Sequence, residues 1–253
     1  MTGSLTVVGL GPGDPDLMTD SARAALDRAQ DLIGYIPYVA RVPERPGLVR
    51  HASDNRVEID RARHALELAA AGRHVVVVSG GDPGIFAMAA AVFEAVDHGD
   101  PAWRQLAITV EPGITAMLAA AARLGAPLGG DFCALSLSDN LKPWEVVTAR
   151  LEAVLRADLV VALYNPISKA RPWQLGAALE IAAGIRAAET PVAFARAVRR
   201  PDEAIRVMTL AEAREAPADM ATLVLIGAST TRLIPRGLGQ RPFVYTARSV
   251  AAR

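Results

Sequence analysis

Three segments of the chain combine glycine, proline and small polar residues as ligand-holding loops do. They are "VVGLGPGDPDLMT" (Val7 to Thr19), "SGGDPGIFAMA" (Ser79 to Ala89) and "EPGITAML" (Glu111 to Leu118). Each follows an apolar run and precedes a helix-like one, so each is read as a turn between a strand and a helix. Glycine allows backbone N–H groups to approach a ligand with no side chain in the way. A residue before proline is kept out of the helical region, which holds Asp82 extended ahead of Pro83. The chemistry this suggests is binding through main-chain amides, with Asp82 as acceptor for a hydroxyl or an amino group.

Two nucleotide readings fail on the residues. A phosphate loop of the G-x-x-x-x-G-K-[ST] type needs a lysine, and none occurs before Lys142. A dinucleotide fingerprint needs G-x-G-x-x-G and an acid ending the second strand to take the ribose. Here Gly9, Gly11 and Gly13 alternate, Pro12 stiffens the turn, Asp14-Pro15 replaces the helix-packing glycine, and Asp31 begins its strand.

Composition narrows the partners. The 253 residues are 51% hydrophobic and 21% charged with a formal net charge of zero, as in ordinary globular proteins. A basic footprint for nucleic acid is missing, and no apolar run approaches the ~18 residues of a membrane span. Apart from Lys142 and Lys169 the basic residues are arginines. Cys133 is the single cysteine, so no intrachain disulfide is expected and a cytoplasmic location fits. His51, His64, His74 and His98 are scattered without helical metal spacing, so no metal site is expected. No signal peptide is expected either, because the N-terminus lacks a charged segment followed by an apolar one.

The elements that must position the loops alternate. Strands are expected at Leu5–Leu10, Asp31–Tyr35, His74–Ser79 and Leu106–Val110, and helices at Leu17–Ala29, Val57–Ala71, Ile85–Val96 and Ile114–Leu124. "HVVVVS" reads as a strand buried on both faces, so this part is a parallel sheet with helices on either side. Helix and strand signals both lapse at Gly125–Asp131. Beyond it strands are expected at Phe132–Leu137, Leu159–Tyr164, Val192–Ala195, Ile205–Thr209 and Leu223–Gly227, with helices at Pro143–Leu155 and Trp173–Ala188. The expected fold class is α/β in two domains, 1–125 with a mainly parallel sheet and 131–253 with a mixed sheet, and a cleft between them. In such sheets ligands bind at the carboxyl ends of the strands, where the three glycine loops converge.

In order and spacing, "VGLGPGDPDLMT", "SGGDPGIF" and "EPGITA" resemble the signature segments of the tetrapyrrole methylases, S-adenosylmethionine-dependent enzymes of cobalamin and sirohaem synthesis. The resemblance covers almost the whole chain. "DLIGYIPY", "LGAPLGGDFCALSLSDNLKPWEVV" and "YNPISKARPWQ" are similar to the branch that methylates carbon 17 of the macrocycle and contracts the ring. That branch takes precorrin-3B in the aerobic route and a cobalt-factor counterpart in the anaerobic one. A sister enzyme for another ring carbon and a non-catalytic tetrapyrrole-binding module are the competing readings. Intact cofactor loops argue against a pure carrier.

The resemblance implies a set of roles. S-adenosylmethionine would be held by Gly11 and Pro12, by Gly80, Gly81, Asp82 and Ile85, by Thr115 and Ala116, by Asn165 after "VALY", and by Ala197 after "PVAFAR". Relatives often carry glycine near Ala197. Some relatives carry an acid where this chain has Tyr35, which makes Tyr35 the candidate proton-handling group for ring contraction, with Tyr38 a weaker second. The substrate bears several carboxylates, so Ser138, Asp139, Lys142, Lys169 and Arg171 are the candidate substrate contacts, Arg171 as a two-pronged clamp. The "ARAVRRPDE" loop adds further arginines. The family also implies a homodimer.

Overall fold

In a computed structural model, which describes residues 3–54 and 57–249, the valine run His74–Ser79 is the middle strand of the first sheet. The chain divides into two compact units, Met1–Thr115 and Ala116–Arg253.

The first unit contains β1 (Ser4–Gly9), α1 (Asp20–Arg28), β2 (Asp31–Tyr35), α2 (Ile36–Val39), β3 (Val49–Ser53), α3 (Glu58–Ala70), β4 (His74–Ser79), α4 (Met88–His98) and β5 (Ala107–Glu111). Its strands lie in the order β3-β2-β4-β1-β5 and every pairing is parallel. Side chains alternate across a strand, and both faces of β4 are used. Val75 and Val77 pack with Leu5, Val7 and Ile33 against Ala62 and Leu66 of α3 and Val92 of α4. Val76 and Val78 pack with Val8, Leu10 and Leu32 against Ala22, Ala25 and Leu26 of α1. Thr19 caps α1 by accepting from the Ala22 amide at 3.2 Å, and Gly72, at φ +87°, ends the α3 segment in the left-handed region.

Two elements differ from the sequence expectation. The helix expected from Ile85 starts at Met88, because Phe86 sits at φ +53° and Ser79 Oγ, buried at the end of β4, accepts from the Met88 amide. The second glycine loop is longer by those residues. Strand β3 carries too little apolar alternation in "VRHAS" to be seen in sequence; it forms as an edge beside β2.

The second unit contains α5 (Ala116–Leu124), β6 (Gly125–Ala126), β7 (Phe132–Ser136), α6 (Trp144–Arg156), β8 (Val160–Tyr164), α7 (Gln174–Ala183), β9 (Pro191–Arg196), β10 (Ala204–Thr209), α8 (Leu210–Ala213), β11 (Thr222–Ile226), β12 (Thr231–Ile234) and β13 (Phe243–Thr246). The main sheet, β10-β9-β11-β8-β7, is mixed: β7 and β8 are parallel and the other neighbours antiparallel. Leu151 and Leu155 of α6, Leu175 and Leu179 of α7, and Leu210 of α8 cover one face around Phe194, Leu163 and Val224. A small sheet, β12-β13-β6, uses Gly125–Ala126 from the stretch where sequence signals lapse. Helix α5 belongs to this unit because it packs on β6, β11 and β13, so the division falls ahead of Gly125. Helix α7 ends at Ala183 with Gly184 as its cap, short of the expected Ala188.

At the amino end of the first sheet, Asp31 is buried. Its Oδ2 accepts from Arg73 Nε at 2.6 Å, and its Oδ1 lies 2.8 Å from His51 Nε2. Burial pulls this carboxyl upward, but the hydrogen bonds and charges of Arg73 and His51 outweigh it and hold it below 3.8. The acid is therefore a structural tie and not a ribose ligand. Because the folded value is depressed, its stabilisation is complete above the unfolded value and disappears as pH falls through the folded one. Asp31→Asn is expected to lower the unfolding free energy by about 2 kcal/mol at pH 7 in urea titrations, with the gap to wild type closing below about pH 4.

Candidate functional site

At the carboxyl edge of the first sheet the first two glycine loops are joined backbone to backbone, and the third packs against them. Gly11 and Gly81 exchange both hydrogen bonds of an antiparallel bridge, at 3.1 and 3.0 Å, and Leu10 N donates to Ser79 O at 2.9 Å. Both glycines have positive φ, +65° and +66°. A Cβ on Gly9 would lie 2.7 Å from Gly81 O and from Gly113 N, and one on Gly113 would lie 2.2 Å from Gly81 O. Only glycine fits at these crossings, which explains the composition of all three loops at once.

Asp82 fastens the second loop to the third. Its Oδ1 accepts from Gly84 N at 2.8 Å and its Oδ2 from Gly113 N at 3.0 Å. Each carboxylate oxygen keeps a second lone pair, so the tie does not exhaust Asp82 as an acceptor. Pro12 is buried behind Gly11, and Ile85 is half-buried beyond Asp82 in the same loop.

A residue that sequence reading missed completes the arrangement. Arg41, just past α2, donates from Nη2 to Leu10 O at 2.7 Å and from Nη1 and Nη2 to Gly11 O at 3.3 Å. It neutralises carbonyls that the tight first turn points outward. No motif announces it, since either arginine in "VARVPERP" looks like surface charge.

Tyr35 ends β2 at this same edge, half-buried, with its ring edge-to-face on Tyr38 at 5.5 Å and 87°. Tyr38 in turn lies on the second loop: a Cβ on Gly80 would come within 2.8 Å of its ring. Thr115, nearly fully buried, closes the third loop, and Ala116 begins α5.

The second unit gathers most of the remaining candidates at the carboxyl ends of β7 and β8. Asn165 follows β8 at φ +52°; its Nδ2 donates to Ser136 Oγ at 2.9 Å, and the same oxygen accepts from Ser138 N at 3.2 Å. Tyr164 Oη accepts from the Met117 amide at 3.0 Å, tying β8 to the start of α5. Asp139 accepts from Gln174 Nε2 at 3.1 Å. Lys142 is half-buried; desolvation lowers it from 10.5, Arg150 adds to that, and Asp139 opposes it.

Two candidates are placed differently from their expected roles. Arg171 is 7% exposed, and its Nη1 donates to Asn165 O at 3.2 Å, so the guanidinium braces the loop that holds Asn165. Lys169 is exposed at the tip of the turn closed by the Ser168–Arg171 backbone pair. Ala197 is buried at φ +47°, its amide donating to Ala221 O at 2.9 Å. Of the arginines of "ARAVRRPDE", Arg199 and Arg200 are exposed and Arg196 is tied down. Arg196 pairs with Asp219 and Asp202 at 2.7 and 2.8 Å, while Glu203 takes Arg123 at 2.8 Å and the Arg199 amide. Burial raises the Cys133 thiol, which argues against it as a nucleophile. Among the described residues no group of His, Cys, Asp and Glu is arranged to hold a metal.

The family model for tetrapyrrole (corrin/porphyrin) methylases matches residues 4–214. The chain belongs to the tetrapyrrole methylase family. A precorrin-3B C(17)-methyltransferase from Sinorhizobium sp is 57% identical over 251 residues, 99% of this chain and 98% of that one. A probable cobalt-factor III C(17)-methyltransferase from Salmonella typhimurium is 39% identical over 96% of this chain and 99% of its own. The crystal structure of the methyltransferase CobJ superposes with a TM-score of 0.90 at 54% identity, covering 97% of this chain and 100% of that one. The fold is that of tetrapyrrole methyltransferases, and the chain is a methyltransferase. In this tetrapyrrole methylase the loop crossing has no room for a single added methyl group. Gly113→Ala is expected to destabilise by about 3 kcal/mol in thermal or urea melts and to abolish binding of S-adenosylhomocysteine in calorimetric titration.

Proposed function

We propose that this chain transfers a methyl group from S-adenosylmethionine to carbon 17 of precorrin-3B and contracts the ring to precorrin-4 in cobalamin synthesis. The observation that carries this reading is the end-to-end 57% identity to a precorrin-3B C(17)-methyltransferase, against 39% to the cobalt-factor counterpart. That difference favours the metal-free substrate over the cobalt-containing one.

The residues at the first unit's carboxyl edge fit the cofactor. Gly9 and Gly113 have no room for a Cβ beside the neighbouring loops, nor Gly80 beside the Tyr38 ring, and loops closed on one another through main chain would suit a carboxylate and ribose hydroxyls. When bound, S-adenosylmethionine supplies a methyl group on a sulfonium, already activated for in-line displacement. What the protein must add is mainly position, since effective molarities of ~10⁵ M or more follow from good alignment. Gly11, Pro12, Gly80, Gly81, Asp82, Ile85, Thr115 and Ala116 are assigned to hold the cofactor, with Asn165 and Ala197 from the second unit. Arg41 and the Asp82 tie keep the loops in shape before any ligand arrives.

Tyr35 is the group proposed to handle the proton of ring contraction, because its hydroxyl is carried at the end of β2 on the edge where the cofactor loops lie. Ser138, Asp139 and Lys142 are proposed to meet the substrate, with Lys142 pairing a side-chain carboxylate of the macrocycle. Lys169 is an outer contact, and Arg171 acts through Asn165. By family resemblance the working form is a homodimer, and the single cysteine fits a cytoplasmic location; among the described residues no helix is long and apolar enough to cross a membrane.

Incubation with precorrin-3B and S-adenosylmethionine is expected to give a product heavier by one methyl group, with S-adenosylhomocysteine released. Turnover of cobalt-factor III but not of precorrin-3B would replace this reading with the anaerobic one. Tetrapyrrole binding with no affinity for S-adenosylhomocysteine would make the chain a carrier.

A further inference from the structure

The two segments most specific to the carbon-17 branch, "SLSDNLKPWE" and "YNPISKARPWQ", meet where Asn165 Nδ2 donates to Ser136 Oγ at 2.9 Å and Leu137 N to Tyr164 O at 3.0 Å, and again through two contacts at the start of α7. Gln174, the first residue of α7, donates from Nε2 to Asp139 Oδ2 at 3.1 Å. Trp173, one residue earlier, meets Trp144 at the start of α6 edge-to-face, with ring centroids 5.0 Å apart and planes at 77°. These contacts bracket residues 140–143, the stretch that carries Lys142. The two segments therefore form one clamped unit, which gives a physical reason for their occurring together.

Gln174 is 1% exposed, and no donor reaches its Oε1 among the described residues. A buried amide acceptor left unmet destabilises the fold. A leucine or methionine of similar volume would fill the same space without that loss. Polar groups kept against local stability are the mark of positions serving a site.

We propose that Gln174 is a positioning residue for the tetrapyrrole: by holding Asp139 it fixes the Ser138–Lys142 loop so that the Lys142 ammonium and the Ser138 hydroxyl face a carboxylate-bearing macrocycle. The proposal rests on the function given above. The helix beginning at Gln174 supplies a rigid mount, since its next apolar residues, Leu175, Ala178 and Leu179, are locked in the core. The Trp144–Trp173 contact fixes the far end of the loop and the Ser138 N–Ser136 Oγ bond its start, so between them the Asp139 side chain is the point held by Gln174.

The test uses the full chain with Gln174→Leu and Gln174→Met. Both are expected to melt at or above the wild-type temperature, and to bind S-adenosylhomocysteine within about twofold of wild type. Their KM for precorrin-3B is expected to rise about tenfold or more with kcat little changed. Amide hydrogen exchange over residues 138–142, which needs no substrate, is expected to quicken in both variants. A lower melting temperature with both affinities falling together would make Gln174 merely structural and overturn the proposal. Unchanged exchange over 138–142 or an unchanged KM would overturn it as well. If wild-type protein itself ignores precorrin-3B, the functional reading fails, and the exchange result still decides whether Gln174 holds the loop.

Discussion

Everything at the candidate cofactor edge depends on one contact, the place where Gly9, Gly81 and Gly113 cross with no side chain between them. Three strand-to-helix turns cannot share one small volume if any of them carries a Cβ there. Once they do share it, the Gly11–Gly81 bridge and the Asp82 carboxylate lock them together, with Thr19 Oγ1 donating to Pro112 O at 3.3 Å. The parallel order β2-β4-β1-β5 is what brings the turns to one edge, and the valines of β4 are what make that sheet a buried two-faced layer. The candidate cofactor edge is thus built from main chain, as would suit a cofactor whose reactive centre needs alignment more than acid–base assistance.

The second unit solves a different problem with side chains. Asn165, Ser136, Arg171 and Tyr164 form short hydrogen-bond links that set the loops after β7 and β8. Asn165 and Ala197 both hold left-handed backbones, which asparagine tolerates and alanine adopts only at a loss. Phe86 in the first unit is a third such residue. All three follow the carboxyl ends of strands β4, β8 and β9, where strain of this kind commonly accompanies a binding site.

Much of this was legible in the sequence, for identifiable reasons. The runs "HVVVVS", "VVALY" and "LVLI" are strands because both their faces are buried, and such uninterrupted apolar segments stand out. The three loop motifs stand out because glycine marks a backbone need that no other residue meets. What escaped notice was stabilised by tertiary contact. Strand β3 is half polar and exists because β2 offers it an edge; β6 is two residues long and pairs with β13 from the far end of the chain. Arg41 and Gln174 carry no motif, and only the folded chain shows which carbonyls and carboxylates they hold. Arg171 misled for the same reason: a guanidinium beside a substrate-like motif suggests a clamp, and burial turned it into a brace.

A crystal structure of the protein with S-adenosylhomocysteine tests the central claim most directly. The account expects the ligand against Gly11–Pro12, Gly80–Asp82 and Thr115–Ala116, with the Gly11–Gly81 bridge and the Asp82–Gly113 bond unchanged from the ligand-free chain. A ligand seated away from these loops, or one that separates Gly81 from Gly113 on binding, would contradict it.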